Sequence, residues 1–155
     1  MASKYDAAIA AEIINHFGAK PELLLQVLHA FMTRYGYIGE EAIRLIADEL
    51  NLSRAEVHGV VSYYHDFRTE PAGEHVVKIC QSEACQAMGS RELTAHAEKA
   101  LDASIASTSD DGKVTLDPVY CLGLCACSPA VMVDGKVYGK VDADMLDALI
   151  DGCRK

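Results

Sequence analysis

The sequence predicts an α+β protein, an N-terminal helical bundle followed by a domain in which helices pack on a small mixed sheet. Three observations predict it. Residues 5 to 67 carry apolar stripes at helical spacing almost without interruption. Past Glu70-Pro71-Ala72-Gly73 the pattern changes to short β-rich runs separated by turn residues. Four cysteines, paired as Cys80-x4-Cys85 and Cys121-x3-Cys125, lie beside those runs with 35 residues between the pairs, a separation that a folded domain has to close. The expected boundaries are a helical domain over 1–70 and a second domain over 74–155.

In the first half, Ile9, Ile13, Ile14 and Phe17 form one stripe that ends near Gly18. Pro21 then stands in a first helical turn, where its missing N–H costs nothing. Leu24, Val27, Leu28 and Phe31 face inward on the next helix, which closes near Gly36, and Ala42, Ile43, Ile46 and Leu50 on the third. Ser53-Arg54-Ala55-Glu56 is a capping box that opens a fourth helix with Val57, Val60, Val61 and Tyr64 on its face. At that spacing Tyr64 and Phe67 belong to the core, which leaves Tyr63 and His65 as candidates for an interface. Such short helices are stable only when packed.

In the second half, His75 to Ile79 is a strand ending at Cys80. Ser90 caps a helix to about Leu101, with Leu93, Ala97 and Ala100 inward. Ser107 to Gly112 is a polar turn, and Lys113 to Leu116 a strand. Ala130 to Val133 and Lys136 to Tyr138 form a hairpin around Asp134-Gly135, a pair suited to a type I′ turn. Asp142 caps the last helix, whose inward side is Met145, Leu146 and Leu149. The order β-α-β-β-β-α places both cysteine pairs at the ends of strands.

Composition narrows the function. With 14 basic and 23 acidic residues the formal charge is -9, which repels phosphate backbones and argues against nucleic-acid binding. No apolar run approaches the ~20 residues of a membrane span, and the N-terminus through Lys4, Asp6 and Glu12 does not read as a signal peptide. A soluble, cytoplasmic protein is expected, without direct membrane insertion, in a reducing compartment where thiols stay free for metal. Neither a dinucleotide-binding glycine loop nor a P-loop occurs.

Thiolates are soft ligands, and four of them suit zinc or an iron–sulfur cluster. Cys121-x3-Cys125 fits a zinc knuckle and Cys80-x4-Cys85 lies just outside that spacing. Met88 stands where a plant-type ferredoxin has its third cysteine, and none of the six histidines lies inside either motif. Gly89 and Gly123 allow backbone amides to approach sulfur. On spacing alone a [2Fe–2S] rhombus with one iron per pair and a zinc-stabilised interaction module both remain open. Cys127 reads as a small buried or loop residue, and Cys153 as an incidental thiol in a fraying tail.

The segments Val77-Lys-Ile-Cys80-Gln-Ser-Glu-Ala-Cys85-Gln-Ala-Met-Gly89 and Val119-Tyr-Cys121-Leu-Gly-Leu-Cys125-Ala-Cys-Ser-Pro129 resemble the 24 kDa subunit family of respiratory complex I. The helical segments Val27-Leu-His-Ala, Tyr37-Ile-Gly-Glu-Glu-Ala and Ala55-Glu-Val-His-Gly-Val-Val-Ser-Tyr-Tyr resemble its N-terminal region. The resemblance implies a thioredoxin-like [2Fe–2S] ferredoxin with Cys80, Cys85, Cys121 and Cys125 as ligands. Val57-His-Gly-Val-Val-Ser-Tyr-Tyr-His-Asp-Phe67 and Cys80-x3-Ala84-Cys85-Gln-Ala-Met-Gly89 look most like the gamma subunit branch of soluble, NAD-dependent, molybdenum-containing formate dehydrogenases, and Cys121-Leu-Gly-Leu-Cys125-Ala-Cys127 also fits that branch. The 24 kDa-type subunit of NADH:quinone oxidoreductase and the diaphorase subunit of NAD-reducing hydrogenase are the alternatives. In that setting the chain is an electron-transfer subunit, not catalytic alone. FMN and NAD are expected on a beta subunit, and the molybdenum cofactor on a catalytic alpha subunit.

Overall fold

The computed structural model describes residues 5–154, so that Lys4 of the N-terminal reading lies outside the described residues. The chain divides into two compact units, one ending at Pro71 and one beginning at Ala72.

The first unit holds α1 (Ala7–His16), α2 (Leu24–Tyr35, entered through a 3-10 turn at Pro21–Leu23), α3 (Glu40–Leu50) and α4 (Arg54–Tyr63). Asp6 starts α1 by accepting amides from Ala8 and Ile9. Gly36, at a φ of 77°, closes α2 in the left-handed conformation that ends many helices. The Ser53–Glu56 capping box is present in both directions, with Glu56 accepting from the Ser53 N–H at 2.8 Å. Ile14, Val27, Leu28, Phe31, Ile46 and Val57 are completely buried together. Tyr35 joins them while donating its hydroxyl to the Asp6 carbonyl at 3.0 Å.

Tyr64 departs from the sequence reading. It follows the end of α4, where the backbone turns extended, and is 43 % exposed. The helical stripe simply stops one residue before it. Phe67 is buried, and Tyr63 is 75 % exposed.

The second unit is built on a five-stranded sheet. Its strands are β1 (His75–Cys80), β2 (Ser107–Thr108), β3 (Val114–Val119), β4 (Ala130–Val133) and β5 (Lys136–Gly139), in the spatial order β2-β3-β1-β4-β5. β1 and β3 run parallel in a register that pairs Cys80 with Val119, and the other neighbours are antiparallel. The helices are α5 (Glu83–Ala87), α6 (Ser90–Leu101) and α7 (Ala143–Arg154). Val77, Ile79, Leu116 and Val131 of the sheet bury their side chains with Leu93, Ala97 and Leu101 of α6 and Leu146 and Ile150 of α7. A parallel pair needs a long crossover between its strands, and α5 and α6 supply it.

Four sequence readings change here. Ser107 and Thr108, read as turn, pair with Leu116 and Thr115 as a short edge strand. β3 continues past Leu116 to Val119, so it delivers the chain directly to the second cysteine pair. Ser90 does not cap α6. Gly89 holds that position with a φ of 97°, and Ser90 is buried inside the first turn. Cys153 lies within α7 and is 6 % exposed, so the tail is an ordered helix, and burial raises its thiol pKa with the charge of Asp134 adding to the effect.

Candidate metal centre

Both cysteine loops leave the sheet at one end of its interior strands. Cys80 is the last residue of β1, and Cys121 follows β3 by two residues. Because β1 and β3 are adjacent and parallel, their carboxyl ends open side by side, the usual place for a ligand site in such sheets. α5 carries Cys85 back toward Cys80. The start of β4, antiparallel to β1, brings Ser128, Pro129 and Ala130 into the same corner, and the Ser128–Pro129 bond is cis.

The four thiols form two unlike pairs. Cys80 and Cys85 are each 1 % exposed and pack with Ala130, Val119, Leu122 and Leu124. Cys121 and Cys125 are exposed, with their sulfurs 3.8 Å apart. A tetrahedral metal with sulfur bonds of about 2.3 Å separates two ligands by about that distance, so this pair fits a single shared ion. Among the described residues no three Cys, His, Asp or Glu side chains converge on one ion's position, so the sulfurs stand as pairs.

Each sulfur has polar company. Cys80 Sγ is 3.1 Å from Ser82 Oγ, and Cys85 Sγ is 3.4 Å from Ser128 Oγ. The Gly123 N–H donates to Cys121 Sγ at 3.3 Å. Burial pushes the Cys85 thiol up, but hydrogen bonding with Ser128, the Ala130 backbone, Cys80 and Ser82 brings it below the ordinary value. Cys125 is pushed up, first by its hydrogen bond and charge interaction with Cys121, then by desolvation and the charges of Cys85 and Cys80. Thiolates so gathered repel one another, and a bound cationic centre offsets that repulsion.

The backbone of the second loop is shaped to aim sulfur. Gly123 has a φ of 75°, and a Cβ there would meet nothing, so the conformation and not the space calls for glycine. Cys121 itself has a φ of 155°, seldom adopted by residues with a side chain. Cys127 is tied in differently. Its carbonyl accepts from the Lys140 N–H at 2.6 Å, and a Cβ on Gly139 would stand 2.8 Å from Cys127 Cβ. Cys127 is thus half-buried against the end of β5 and closes a 3-10 turn over Cys125–Cys127.

Two serines in this corner, Ser82 and Ser128, escaped the sequence reading. The available signal was a hydroxyl residue close in sequence to a cysteine at each strand end. Met88 and Tyr120 are large exposed side chains flanking the loops.

The second unit is thus a small mixed sheet with two cysteine loops at the carboxyl ends of neighbouring parallel strands. Comparison with known proteins makes the class specific. The chain belongs to the thioredoxin-like [2Fe-2S] ferredoxin family, which it matches over residues 10–154. Its cofactor is a [2Fe–2S] cluster, which decides between the zinc and iron–sulfur readings that spacing left open.

Among its relatives, an NADH-quinone oxidoreductase subunit from Aquifex aeolicus (strain VF5) is 35% identical over 127 residues, 82% of this chain and 79% of that one. The HndA subunit of an NADP-reducing hydrogenase from Solidesulfovibrio fructosivorans is 33% identical over 130 residues, 84% of this chain and 76% of that one. A crystal structure of an NAD+-reducing [NiFe]-hydrogenase in the air-oxidized state shares the fold, with a TM-score of 0.72 and 23% identity over 85% of this chain. This chain spans 23% of that longer one.

Proposed function

We propose that the chain is the electron-transfer subunit of a soluble, cytoplasmic, NAD-dependent formate dehydrogenase, with Cys80 and Cys85 holding one iron of the cluster and Cys121 and Cys125 the other. One observation supports the ligand assignment: the two pairs stand at the carboxyl ends of the neighbouring parallel strands β1 and β3, near enough for Cys125 to feel the charges of Cys80 and Cys85, with one pair buried and the other exposed. When bound, the cluster supplies a carrier for one electron at a time. The protein's own part is to hold four thiolates in fixed register, to keep water from the Cys80–Cys85 side and to leave the Cys121–Cys125 side open.

The formate assignment rests on residues 57–67 and on the Cys80–Gly89 segment, which resemble the gamma subunit branch, with the Cys121–Cys127 stretch also fitting it. The names of the relatives, an NADP-reducing hydrogenase and an NADH-quinone oxidoreductase, agree with a pyridine-nucleotide setting. In it, a beta subunit carries FMN and the NADH site, and an alpha subunit with a molybdenum cofactor oxidises formate. No helix among the described residues is long and apolar enough to cross a membrane. The acidic surface, at a formal charge of -9, favours a low cluster potential because reduction adds negative charge.

Purification from the native source through a tag on this chain tests the assignment. Co-purifying flavin- and molybdenum-containing subunits with formate-dependent NAD reduction are expected. Recovery of hydrogenase or quinone-reductase subunits in their place would overturn it in favour of the corresponding branch.

A further inference from the structure

We propose that Ser82 and Ser128 are positioning residues for the buried half of the cluster, hydroxyls that orient Cys80 and Cys85 and raise the cluster's midpoint potential. The inference rests on the ligand assignment above. It starts from Ser82, which occupies the N-cap position of α5 without making a side-chain cap hydrogen bond. A serine there ordinarily accepts an amide of its own helix. This one instead lies 3.1 Å from Cys80 Sγ.

Ser128 is the counterpart on the other buried sulfur. It is buried itself, accepts from the Cys85 thiol at 3.4 Å and donates to the Cys125 carbonyl at 2.8 Å. One hydroxyl therefore links the buried cysteine of the first loop to the backbone of the second. A metal-bound thiolate only accepts, so each serine facing it must donate. Its charge attracts the Ser128 proton more strongly than the neutral Cys125 carbonyl does.

The surroundings make these two hydroxyls count. Ala130, Val119, Leu122 and Leu124 pack around Cys80 and Cys85, and in such apolar company a hydrogen bond to developing negative charge is stronger than in water. Cys121 and Cys125 are exposed, and Cys121 takes its hydrogen bond from the Gly123 backbone, which no side-chain substitution removes. Hydroxyl donors thus serve the side that solvent cannot reach. Hydrogen bonds to cluster sulfurs are an established lever on potential.

The test uses the full chain, purified anaerobically with its cluster, as wild type and as Ser82→Ala, Ser128→Ala, Ser128→Thr and the double alanine variant. Midpoint potentials come from redox titration followed by EPR, and iron–thiolate stretching frequencies from resonance Raman spectra. Each alanine variant is expected to keep its iron, shift to a more negative potential and raise a stretching frequency, the double variant shifting most. Ser128→Thr is expected to stay at the wild-type potential. Alanine variants with full iron and acid-labile sulfide but wild-type potential and frequencies would overturn the proposal. If Ser128→Ala loses its iron, Ser82→Ala decides alone by the same readouts. A wild-type chain without acid-labile sulfide would instead sink the functional reading beneath it.

Discussion

Cys127 and Cys121 are six residues apart, yet the fold gives them different company. Cys121 faces a partner sulfur, whereas Cys127 packs against Gly139. Cys121→Ser is expected to lose most of the bound iron and acid-labile sulfide, and Cys127→Ser to retain both with an unchanged visible spectrum. A bleached Cys127→Ser protein would contradict the ligand assignment. Gly139→Ala asks the reverse question. Its new Cβ would sit 2.8 Å from Cys127 Cβ and 2.9 Å from Cys127 O, so the second cysteine loop must shift. Overpacking of this kind costs about 1–3 kcal/mol, and faster loss of visible absorbance on warming is the expected sign.

At the scale of elements, the capping box of α4 gives a quantitative expectation. Ser53→Ala removes an acceptor of the Glu56 amide and is expected to cost about 1 kcal/mol in denaturant unfolding of the helical unit. The Glu56 pKa is lowered, chiefly by the backbone hydrogen bond from Ser53 and then by its hydroxyl. A carboxylate with a lowered folded-state pKa stabilises above its unfolded value, and that contribution fades as pH falls through the folded one. Stability should therefore decline on the acid side in the wild type, and less steeply in Glu56→Gln. Elements with strong local chemistry were readable from sequence: the capping box, the Asp134-Gly135 hairpin and the strand ending at Cys80. What escaped had weak or misleading local signals. α5 spans only five residues, too few to show a helical period. Ser90 looked like a cap because serine favours that place, but Gly89 takes it with a conformation serine adopts at a cost. The serine–thiol contacts depend on loops brought together by the sheet, which no local window contains.

For the whole molecule, the two units carry separate cores, one centred on Phe31 and Leu28, the other on Ile79 and Leu116. Phe31→Ala is expected to cost about 3–5 kcal/mol and to lower the helical melting transition while visible absorbance survives. Leu116→Ala, in the core of the unit that carries the cysteines, is expected to reduce cluster retention as well. Simultaneous loss of both signals in Phe31→Ala would mean that the units unfold as one. The contrast between buried Cys80 and Cys85 and exposed Cys121 and Cys125 reaches beyond stability. It gives the proposed centre a front and a back. Iron chelators are expected to reach the centre through the exposed Cys121–Cys125 pair. A docked partner covering that pair would shield the centre from chelators without touching the rear pair.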